Sequence, residues 1–445
     1  MIRILRAGAI AAVERVPGLR QAVHAAWEPA FRLALLPFRL PARRGTAVER
    51  LDLVERTTEY NEAAERYYSE YPDPQFLLDK PFSETSDFAG HLIAAGVLVA
   101  GARIRPGDTV VEFGAGSCWL SHFLNRFGCR TIAVDVSETA LALGRQLFER
   151  DSRTNWSLEP RFLPYDGHVL PLEDGSCDRV VVYDAFHHVP NQREILTELH
   201  RVLTADGVVA MSEPGSGHGS AATSIAETAR SGVLENELVI EDLADLAEAV
   251  GFGEVSLLAG GPTRPCEFPA RGVGAFKGGR GFRRYWAALC REITVHHYVL
   301  MYKGSSLATT ARPGRLDSRI RIERPREAVT LSRNGRLPVV LRLANTGDTR
   351  WLSRGSGASR AGWTRLGVHL HEAGEPVGKV IDFDWHRAEL DRDVDPEGEA
   401  RVRFDLPGIG RPGIYDLHFD LLVEGLTWFA ERGASRPPVL RVRVE

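Results

Sequence analysis

Between residues 109 and 302, short apolar runs alternate with stretches in which apolar residues recur every three or four positions. The first pattern predicts buried strands and the second predicts amphipathic helices. Strands are predicted at Thr109–Phe113, Arg130–Val134, Arg179–Tyr183, Gly207–Ser212, Glu254–Leu258 and Tyr298–Tyr302, with helices near Cys118–Phe127, Thr139–Arg150, Gln192–Leu203 and Ile240–Val250. This alternation indicates an α/β fold with a doubly wound, mostly parallel sheet covered by helices on both faces.

Two further helices are predicted before the sheet, at Val48–Tyr71 and His91–Ala102. Pro72 and Pro74 would end the first of them. Four aromatic residues of this region are candidates for a lid over a ligand, with helix packing as the alternative: Tyr67, Tyr68, Tyr71 and Phe82.

The pattern changes after Lys303. A stretch containing Gly, Ser, Thr and Pro reads as a linker, and the short alternating runs beyond it are separated by turns such as NG, TGD and PEG. This part of the chain is typical of an antiparallel β-sandwich. We therefore expect a helical arm and lid at 1–80, an α/β domain at 81–304, a linker at 305–318 and a sandwich at 319–445.

Composition and charge narrow the function classes. A chain of 445 residues is too long for a single core, and its formal net charge of -4 gives no reason to expect nucleic acid as a partner. The five cysteines show neither CxxC pairs nor the spacing of metal ligands, which suits a reducing compartment. We expect a cytoplasmic protein.

The N-terminal arm is basic, with eight arginines against two glutamates in residues 1–45. Its apolar residues fall on one helical face. The arm is interpreted either as a helix packed on the protein itself or as a peripheral contact with the inner face of the membrane. No apolar run approaches the length of about 18 residues that a membrane span requires.

The stretch VVEFGAGSCWL carries the first chemical signal. Glycines between a strand and a helix let the backbone approach a ligand, and here they are Gly114 and Gly116. A dinucleotide fingerprint needs a third glycine where this chain has Trp119, and Glu112 would repel a pyrophosphate. These residues favour a ligand with a positive charge and no phosphate.

Two further acids extend the pattern. Asp135 ends the second strand, one strand further along the chain than Glu112, where a carboxylate can accept both hydroxyls of a ribose. Asp166 precedes the next strand and is placed to meet an adenine amino group. A ribose, an adenine and a cationic tail together make S-adenosylmethionine. Helix capping and turn stabilisation are the structural alternatives for these acids.

Four ordered motifs resemble the class I S-adenosylmethionine-dependent methyltransferases over about residues 85–303: VVEFGAGS, AVDVS, LPLEDGSCDRVVVYDAFHHV and REILTELHRVLTADGVVAMSEPG. The resemblance implies a seven-stranded Rossmann-like sheet and S-adenosylmethionine as cofactor. It implies Glu112, Phe113, Gly114 and Gly116 at the methionine end, Asp135 at the ribose, and Asp166 with Gly167 at the adenine. Val136 and Asp184 complete the predicted cofactor-binding set. Cys118 stands where the family often has a third glycine.

Methylation of an alcohol requires a base to take its proton, and histidine titrates near neutral pH. His188 is the first candidate because it follows the fourth strand, and His187, Glu213 and His218 are the alternatives. One of these histidines can equally serve to shape the pocket. Nothing in the spacing of Asp184, His187, Glu213 and His218 demands a metal, so no metal is predicted.

The C-terminal segment resembles immunoglobulin-like domains of bacterial surface-polysaccharide proteins. Its candidate sugar contacts are Trp363 and Trp385, flanked by Arg365, His386 and Arg387. The combined prediction is O-methylation of a sugar hydroxyl in a glycan or glycolipid intermediate. The alternatives are methylation of a small secondary metabolite, or a catalytically inactive protein that binds glycan or partners through the sandwich. A nicotinamide dehydrogenase is disfavoured by Trp119, and the oligomeric state is left open.

Overall fold

The structure, a computed structural model, describes residues 51–258, 282–354, 362–374, 378–433 and 436–445. The predicted helix of the N-terminal arm and Cys266 lie outside these ranges. The chain divides into two compact units, one ending at Gly304 and the other beginning at Ser305.

The first unit is built on a seven-stranded sheet with the order β3–β2–β1–β4–β5–β7–β6. Its strands are β1 (Thr109–Phe113), β2 (Arg130–Asp135), β3 (Arg161–Pro164), β4 (Cys177–Tyr183), β5 (Leu203–Pro214), β6 (Glu254–Leu257) and β7 (His296–Tyr302). The first five run parallel, whereas β7 is antiparallel to both β5 and β6. The predicted mostly parallel sheet is therefore confirmed.

Helices surround this sheet in the described part of the unit. They are α1 (Leu51–Val54), α2 (Thr57–Ser69), α3 (Pro74–Leu78), α4 (Phe88–Gly101), α5 (Trp119–Phe127), α6 (Glu138–Arg150), α7 (Gln192–Val202), α8 (Ala222–Ser231), α9 (Ile240–Val250) and α10 (Phe282–Val295). The central strands are buried on both faces: Val111 and Val180 belong to one core cluster, Val181 and Ala210 belong to another, and all four are fully inaccessible. Burial of such a side chain stabilises the fold by about 1.5–3 kcal/mol.

Two features of this unit differ from the predicted elements. The helix predicted at Val48–Tyr71 is divided within the described residues into α1 and α2, and the Thr57 hydroxyl at the start of α2 donates to the Val54 carbonyl at the end of α1. Strand β3 is not predicted at all. Its four residues, Arg161–Pro164, include only two apolar side chains before the proline, too few for a periodic signal.

The described part of the second unit is built mainly of strands. They are β8 (Ala308–Thr309), β9 (Ser318–Arg324), β10 (Val329–Leu331), β11 (Leu337–Asn345), β12 (Thr349–Arg350), β13 (Thr364–Glu372), β14 (Val380–Glu389), β15 (Glu399–Leu406), β16 (Gly413–Val423), β17 (Thr427–Trp428) and β18 (Val439–Val444). A six-stranded sheet and a three-stranded sheet share one core around Leu341, Trp351 and Phe419. This arrangement agrees with the predicted all-β region, and its immunoglobulin-like identity stays a prediction.

The segment predicted as a linker is part of this second unit. Strand β8 pairs with β12, and Leu316 is buried in the core of the unit. The sequence did not predict this strand pairing, because the few apolar residues of the segment are small and lie among Gly, Ser and Pro.

The candidate sugar contacts of the second unit are largely engaged in packing and ion pairs. Trp385 packs against the core. Arg365 and Arg387 both bind the carboxylate of Glu424, at 2.8 and 2.7 Å. His386 stacks on the ring of Phe404. Contact between these side chains and a sugar stays a prediction.

Among the described residues, no helix combines the length and the apolar character that crossing a bilayer requires. Membrane contact through residues 1–45 stays a prediction, because these residues lie outside the described ranges.

Candidate active site

The glycine turn after β1 has the left-handed backbone that its sequence requires. Gly114 and Gly116 have positive φ angles of 68° and 49°. Such values favour glycine, which has no Cβ to clash. The Gly114 N–H donates to the Val134 carbonyl at 2.9 Å, which joins the turn to the end of β2. A Cβ on Gly114 would collide with the Cβ of Ala185, so glycine at this position lets the loops after β1 and β4 meet.

Cys118 has a backbone conformation that favours glycine. Its φ is positive, at 60°, and its side chain is fully buried against Gly144 of α6. A non-glycine residue in this conformation costs roughly 1–2 kcal/mol. The thiol is small enough to fill the gap between the turn and α6.

A cavity of about 330 Å³ opens at the carboxyl edge of β1, β2 and β4. Pockets of a few hundred Å³ are typical of sites for cofactors and small molecules. Its sheet-side wall includes Phe113, Gly114, Asp135, Val136, Tyr165, Gly167, Asp184, Ala185 and His188, and residues 189–191 extend this wall. Its remaining walls include Tyr60, Asn61, Ala64, Tyr67 and Tyr68 of α2, together with Lys80, Glu227 and residues 233–235.

Asp135 is the buried acid of this cavity. Its two carboxylate oxygens accept the N–H groups of Gly116 and Ser137, each at 2.8 Å. Burial raises the pKa of Asp135, and these backbone donors act in the opposite direction. The carboxylate thus stays at the strand end where the sequence places it, already oriented by the glycine turn.

Of the nine predicted cofactor-binding residues, six line the cavity: Phe113, Gly114, Asp135, Val136, Gly167 and Asp184. The other three, Glu112, Gly116 and Asp166, are not among the lining residues. For Glu112 and Asp166, hydrogen bonds to nearby backbone N–H groups account for this.

Glu112 faces helix α5 rather than the cavity. Its carboxyl accepts the Ser121 N–H at 2.8 Å, and burial raises its pKa to about 8. The charge that the sequence argument assigned to Glu112 is therefore largely neutralised by a proton at pH 7. The predicted contact of Glu112 with the methionine end stays a prediction, and in this structure Glu112 is not among the residues that line the cavity.

Asp166 stabilises its own turn. Its carboxylate accepts the N–H groups of His168 and Val169, at 2.8 and 2.9 Å, and these bonds lower its pKa. The side chain is exposed. These bonds are those of the turn-stabilising alternative, and the adenine contact of Asp166 stays a prediction.

The charges on the cavity wall suit a cationic ligand. Asp135, Asp184, Glu227 and Glu235 line it, and Lys80 is the single lysine among its described lining residues. A pyrophosphate would be repelled by this set, whereas a sulfonium and an ammonium group would be attracted. The residues present therefore fit S-adenosylmethionine.

Three histidines and one glutamate lie close together at one end of the cavity. We call them the histidine–glutamate cluster, which consists of His187, His188, His218 and Glu235. The Glu235 carboxylate lies 2.6 Å from His218 Nε2, 3.8 Å from His187 Nε2 and 3.8 Å from His188 Nδ1. The His187 and His188 rings are 3.9 Å apart.

Glu213 accepts hydrogen bonds from the turn that carries His187 and His188. One of its oxygens accepts the N–H groups of Ala185 and Phe186, at 3.1 and 2.8 Å. The other accepts the backbone N–H of His187 at 3.3 Å and contacts its ring Nδ1 at 2.8 Å. Glu213 is fully buried, so it positions the short turn that carries both histidines.

The two adjacent histidines differ in environment. Burial pushes the pKa of His187 down, but the hydrogen bond and charge of Glu213 outweigh it and the net pKa is raised. Burial and the neighbouring His187 lower the pKa of His188. His188 lines the cavity with 36% of its side chain exposed, whereas His187, Glu213 and His218 are not among the lining residues.

Several site residues could not be found from the sequence. The sequence around α2 shows only a helical pattern at Tyr60, Asn61 and Ala64. Of the α2 residues that line the cavity, Tyr67 and Tyr68 are the predicted lid candidates. Tyr71 instead stacks on Phe76, 6.3 Å between ring centroids. Two of the lid candidates thus line the cavity, while Phe82 is 71% exposed.

Comparison with known proteins agrees with this geometry. Residues 111–211 match the family described as a methyltransferase domain. Phosphoethanolamine N-methyltransferase 2 of Caenorhabditis elegans is 28% identical over 158 residues, which are 34% of each chain. Demethylmenaquinone methyltransferase of Clavibacter sepedonicus is 31% identical over 107 residues, 24% of this chain and 41% of that one. The chain thus spans less than half the length of these two relatives.

A solved structure is similar at lower identity. Phosphoethanolamine N-methyltransferase 2 of Haemonchus contortus, in complex with S-adenosyl-L-methionine, is 18% identical with a TM-score of 0.34, over 52% of this chain and 60% of that one. The strand order of the sheet, its cavity at the carboxyl edge and the family match together define the class. Residues 111–211 carry a methyltransferase domain, and S-adenosylmethionine is its cofactor. The predicted methyltransferase domain and its cofactor are thereby confirmed, and membership of class I stays a prediction for the rest of the chain.

Proposed function

We propose that this protein methylates a hydroxyl group of a sugar, in a glycan or glycolipid intermediate, with His188 as the base. The observation that carries the hydroxyl acceptor is the state of the His188 ring in the cavity wall. Its Nδ1 lies 2.5 Å from the Leu234 carbonyl. A carbonyl can only accept a hydrogen bond, so the proton is on Nδ1 and the Nε2 lone pair is free.

S-adenosylmethionine supplies, when bound, a methyl group activated by a positively charged sulfur. Asp135 is placed to accept hydrogen bonds from its ribose, and the acidic wall favours its cationic end. These residues would hold the ligand at the sheet edge, where His188 also lines the cavity. Such positioning contributes about 7–11 kcal/mol to a displacement of this kind.

The acceptor hydroxyl must lose a proton that water removes poorly at neutral pH. A neutral imidazole takes this proton at Nε2, and a positioned base contributes about 10²–10⁴-fold. Glu213 holds the turn of His188 in place and is assigned as a positioning residue. Neutral imidazole is the form that the lowered pKa of His188 favours at pH 7.

The saccharide part of the proposal rests on the second unit and its resemblance to domains of surface-polysaccharide proteins. A cytoplasmic intermediate of glycan assembly would present free sugar hydroxyls to the cavity. The names of the relatives suggest other acceptors, above all the amine of phosphoethanolamine. Acceptor identity is therefore what the experiment has to decide.

The full chain is incubated with S-adenosylmethionine carrying a labelled methyl group and with four acceptor pools: oligosaccharides, glycolipids, small phenols and alcohols, and phosphoethanolamine. Label is expected as an acid-stable methyl ether on a sugar. His188→Ala should lose about 10²–10⁴-fold in turnover while binding S-adenosylmethionine normally. Label on nitrogen, or full activity of His188→Ala, would contradict the proposal.

A further inference from the structure

We propose that His187, His188 and Glu235 form a binding site for a divalent transition-metal ion at the end of the cavity. One ligand atom from each of these residues lies within 4.8 Å of the other two. A single ion bonded to nitrogen and oxygen at about 2.0–2.2 Å holds tetrahedral ligands about 3.4 Å apart, so these side chains would have to move together by about 1 Å to bind it. The residues come from two distant parts of the chain, so their meeting is a property of the fold.

The ligand atoms of this site face one another without hydrogen bonds between them. His187 Nε2 and a Glu235 oxygen are 3.8 Å apart. This separation is too long for a hydrogen bond. A metal ion between the two atoms could bond to both of them. Crowding of a second imidazole, with its ring 3.9 Å from the first, favours an ion that both rings can share.

The surroundings of the two histidines match those of metal ligands. A ligating histidine usually directs its other ring nitrogen to a carboxylate or a backbone carbonyl. His187 Nδ1 contacts Glu213 at 2.8 Å, and His188 Nδ1 contacts the Leu234 carbonyl at 2.5 Å. Because Nδ1 is engaged in both rings, Nε2 is the nitrogen of each ring that is left to bind an ion.

His218 completes the arrangement as a neighbour of Glu235, with 2.6 Å between Nε2 and the carboxylate. This contact fixes the rotamer of the glutamate that supplies the oxygen ligand. Two imidazole nitrogens and one carboxylate suit Zn²⁺, Co²⁺, Ni²⁺ or Fe²⁺ better than Mg²⁺ or Ca²⁺. Three protein ligands also leave positions open for water or for a ligand in the cavity.

The site has a consequence that rests on the proposed function. The Nε2 lone pair of His188 that would bind the metal is the one that would take the acceptor proton. A metal ion and methyl transfer therefore compete for His188, and saturation with Zn²⁺ is expected to inhibit turnover.

Metal binding is tested on the full chain after treatment with a chelator, without cofactor or acceptor, so that this test is independent of the reaction. Calorimetric titration with Zn²⁺ should show one binding event that Glu235→Gln weakens at least 10-fold. His187→Gln should weaken it similarly. The matched control is His200→Gln. His200 is on α7, where its ring contacts Phe252, and it is not part of the cluster, so this variant should bind Zn²⁺ as the unmodified chain does.

Co²⁺ provides a readout of ligand type. Binding at the proposed site predicts visible d–d absorption without the charge-transfer band that a cysteine thiolate would add. Circular dichroism of each variant verifies its folding. No binding of Zn²⁺ or Co²⁺, a thiolate band, or binding that survives both Glu235→Gln and His187→Gln would overturn the site. Turnover unchanged at saturating Zn²⁺ would overturn the shared use of His188, whereas a missing methyl transfer activity would refute only the proposed function.

Discussion

Glu112 offers a test of the electrostatics of the glycine turn that needs no substrate. Glu112→Gln replaces a buried carboxyl by a neutral group of the same shape, whose oxygen can still accept the Ser121 N–H. Burial raises the pKa of Glu112 to about 8, against an ordinary value of 4.5. Because the folded pKa lies above the unfolded one, the unmodified chain has its full folding stability below about pH 4.5, where Glu112 is protonated in both states. It loses part of that stability as the pH rises through 8.

The magnitude follows from these two pKa values. Each pH unit between them costs the unmodified chain about 1.4 kcal/mol, which bounds the whole effect at about 5 kcal/mol above pH 8. The glutamine variant lacks this loss. Its advantage over the unmodified chain should therefore grow steadily between pH 5 and pH 8 and then level off.

Scanning calorimetry of the full chain at several pH values measures this difference, since the transition of the first unit should move and that of the second should not. In a domain of this size, about 1 kcal/mol shifts the midpoint by about 2–4 °C. Glu149→Gln is the matched control, because Glu149 is exposed on α6 and should give no pH-dependent difference. A Glu112→Gln difference that is flat from pH 5 to pH 8 would refute the reasoning and show that the buried carboxyl stays ionised.

Three further outcomes follow from the site. Asp135→Asn should weaken binding of S-adenosylmethionine by about 10- to 100-fold in calorimetry, as loss of hydrogen bonds to a charged acceptor implies. Unchanged affinity would remove Asp135 from the cofactor site. The acid limb of kcat/KM against pH should lie below 6.5, because the neutral His188 persists to a lower pH than a free histidine does. A limb above 6.5 would assign the base elsewhere. Glu213→Ala should destabilise the first unit by about 3–5 kcal/mol in thermal unfolding, because it leaves buried N–H groups without an acceptor. Glu213→Gln should cost less, and equal losses for both would contradict this account.

The sheet was predictable because its central strands are continuous apolar runs that only a two-sided parallel sheet buries. Strand β4, with Val180, Val181 and Val182 fully buried, is the strongest case. Strand β3 was not predictable, since an edge strand of four residues carries almost no pattern. The same reason applies to β8, which is paired in the second unit although its sequence suggests a linker.

Residues at the ends of strands were predictable as site residues because topology alone brings them together. Asp135, Asp184 and His188 reach the cavity for this reason. The direction of each side chain was not predictable. Glu112 and Asp166 have backbone N–H groups within reach, and each carboxyl turns to those donors instead of to the cavity. The position of Glu235 in the site could not be predicted from the sequence either. Glu235 follows Gly232, which has a positive φ, in a segment without helical or strand periodicity.

The glycines of the site have a second role that the sequence argument did not contain. A Cβ on Gly116 would lie 2.5 Å from the Tyr68 hydroxyl, and a Cβ on Gly167 would collide with the Asn61 amide. Asn61 also donates to the Asp166 carbonyl at 3.0 Å, so it is anchored to the loop it covers. These two glycines thus admit helix α2 as well as a ligand. The same small residues that shape the sheet edge therefore also make room for the opposite wall, and a side chain added at either glycine would have to move the side chain of Tyr68 or Asn61.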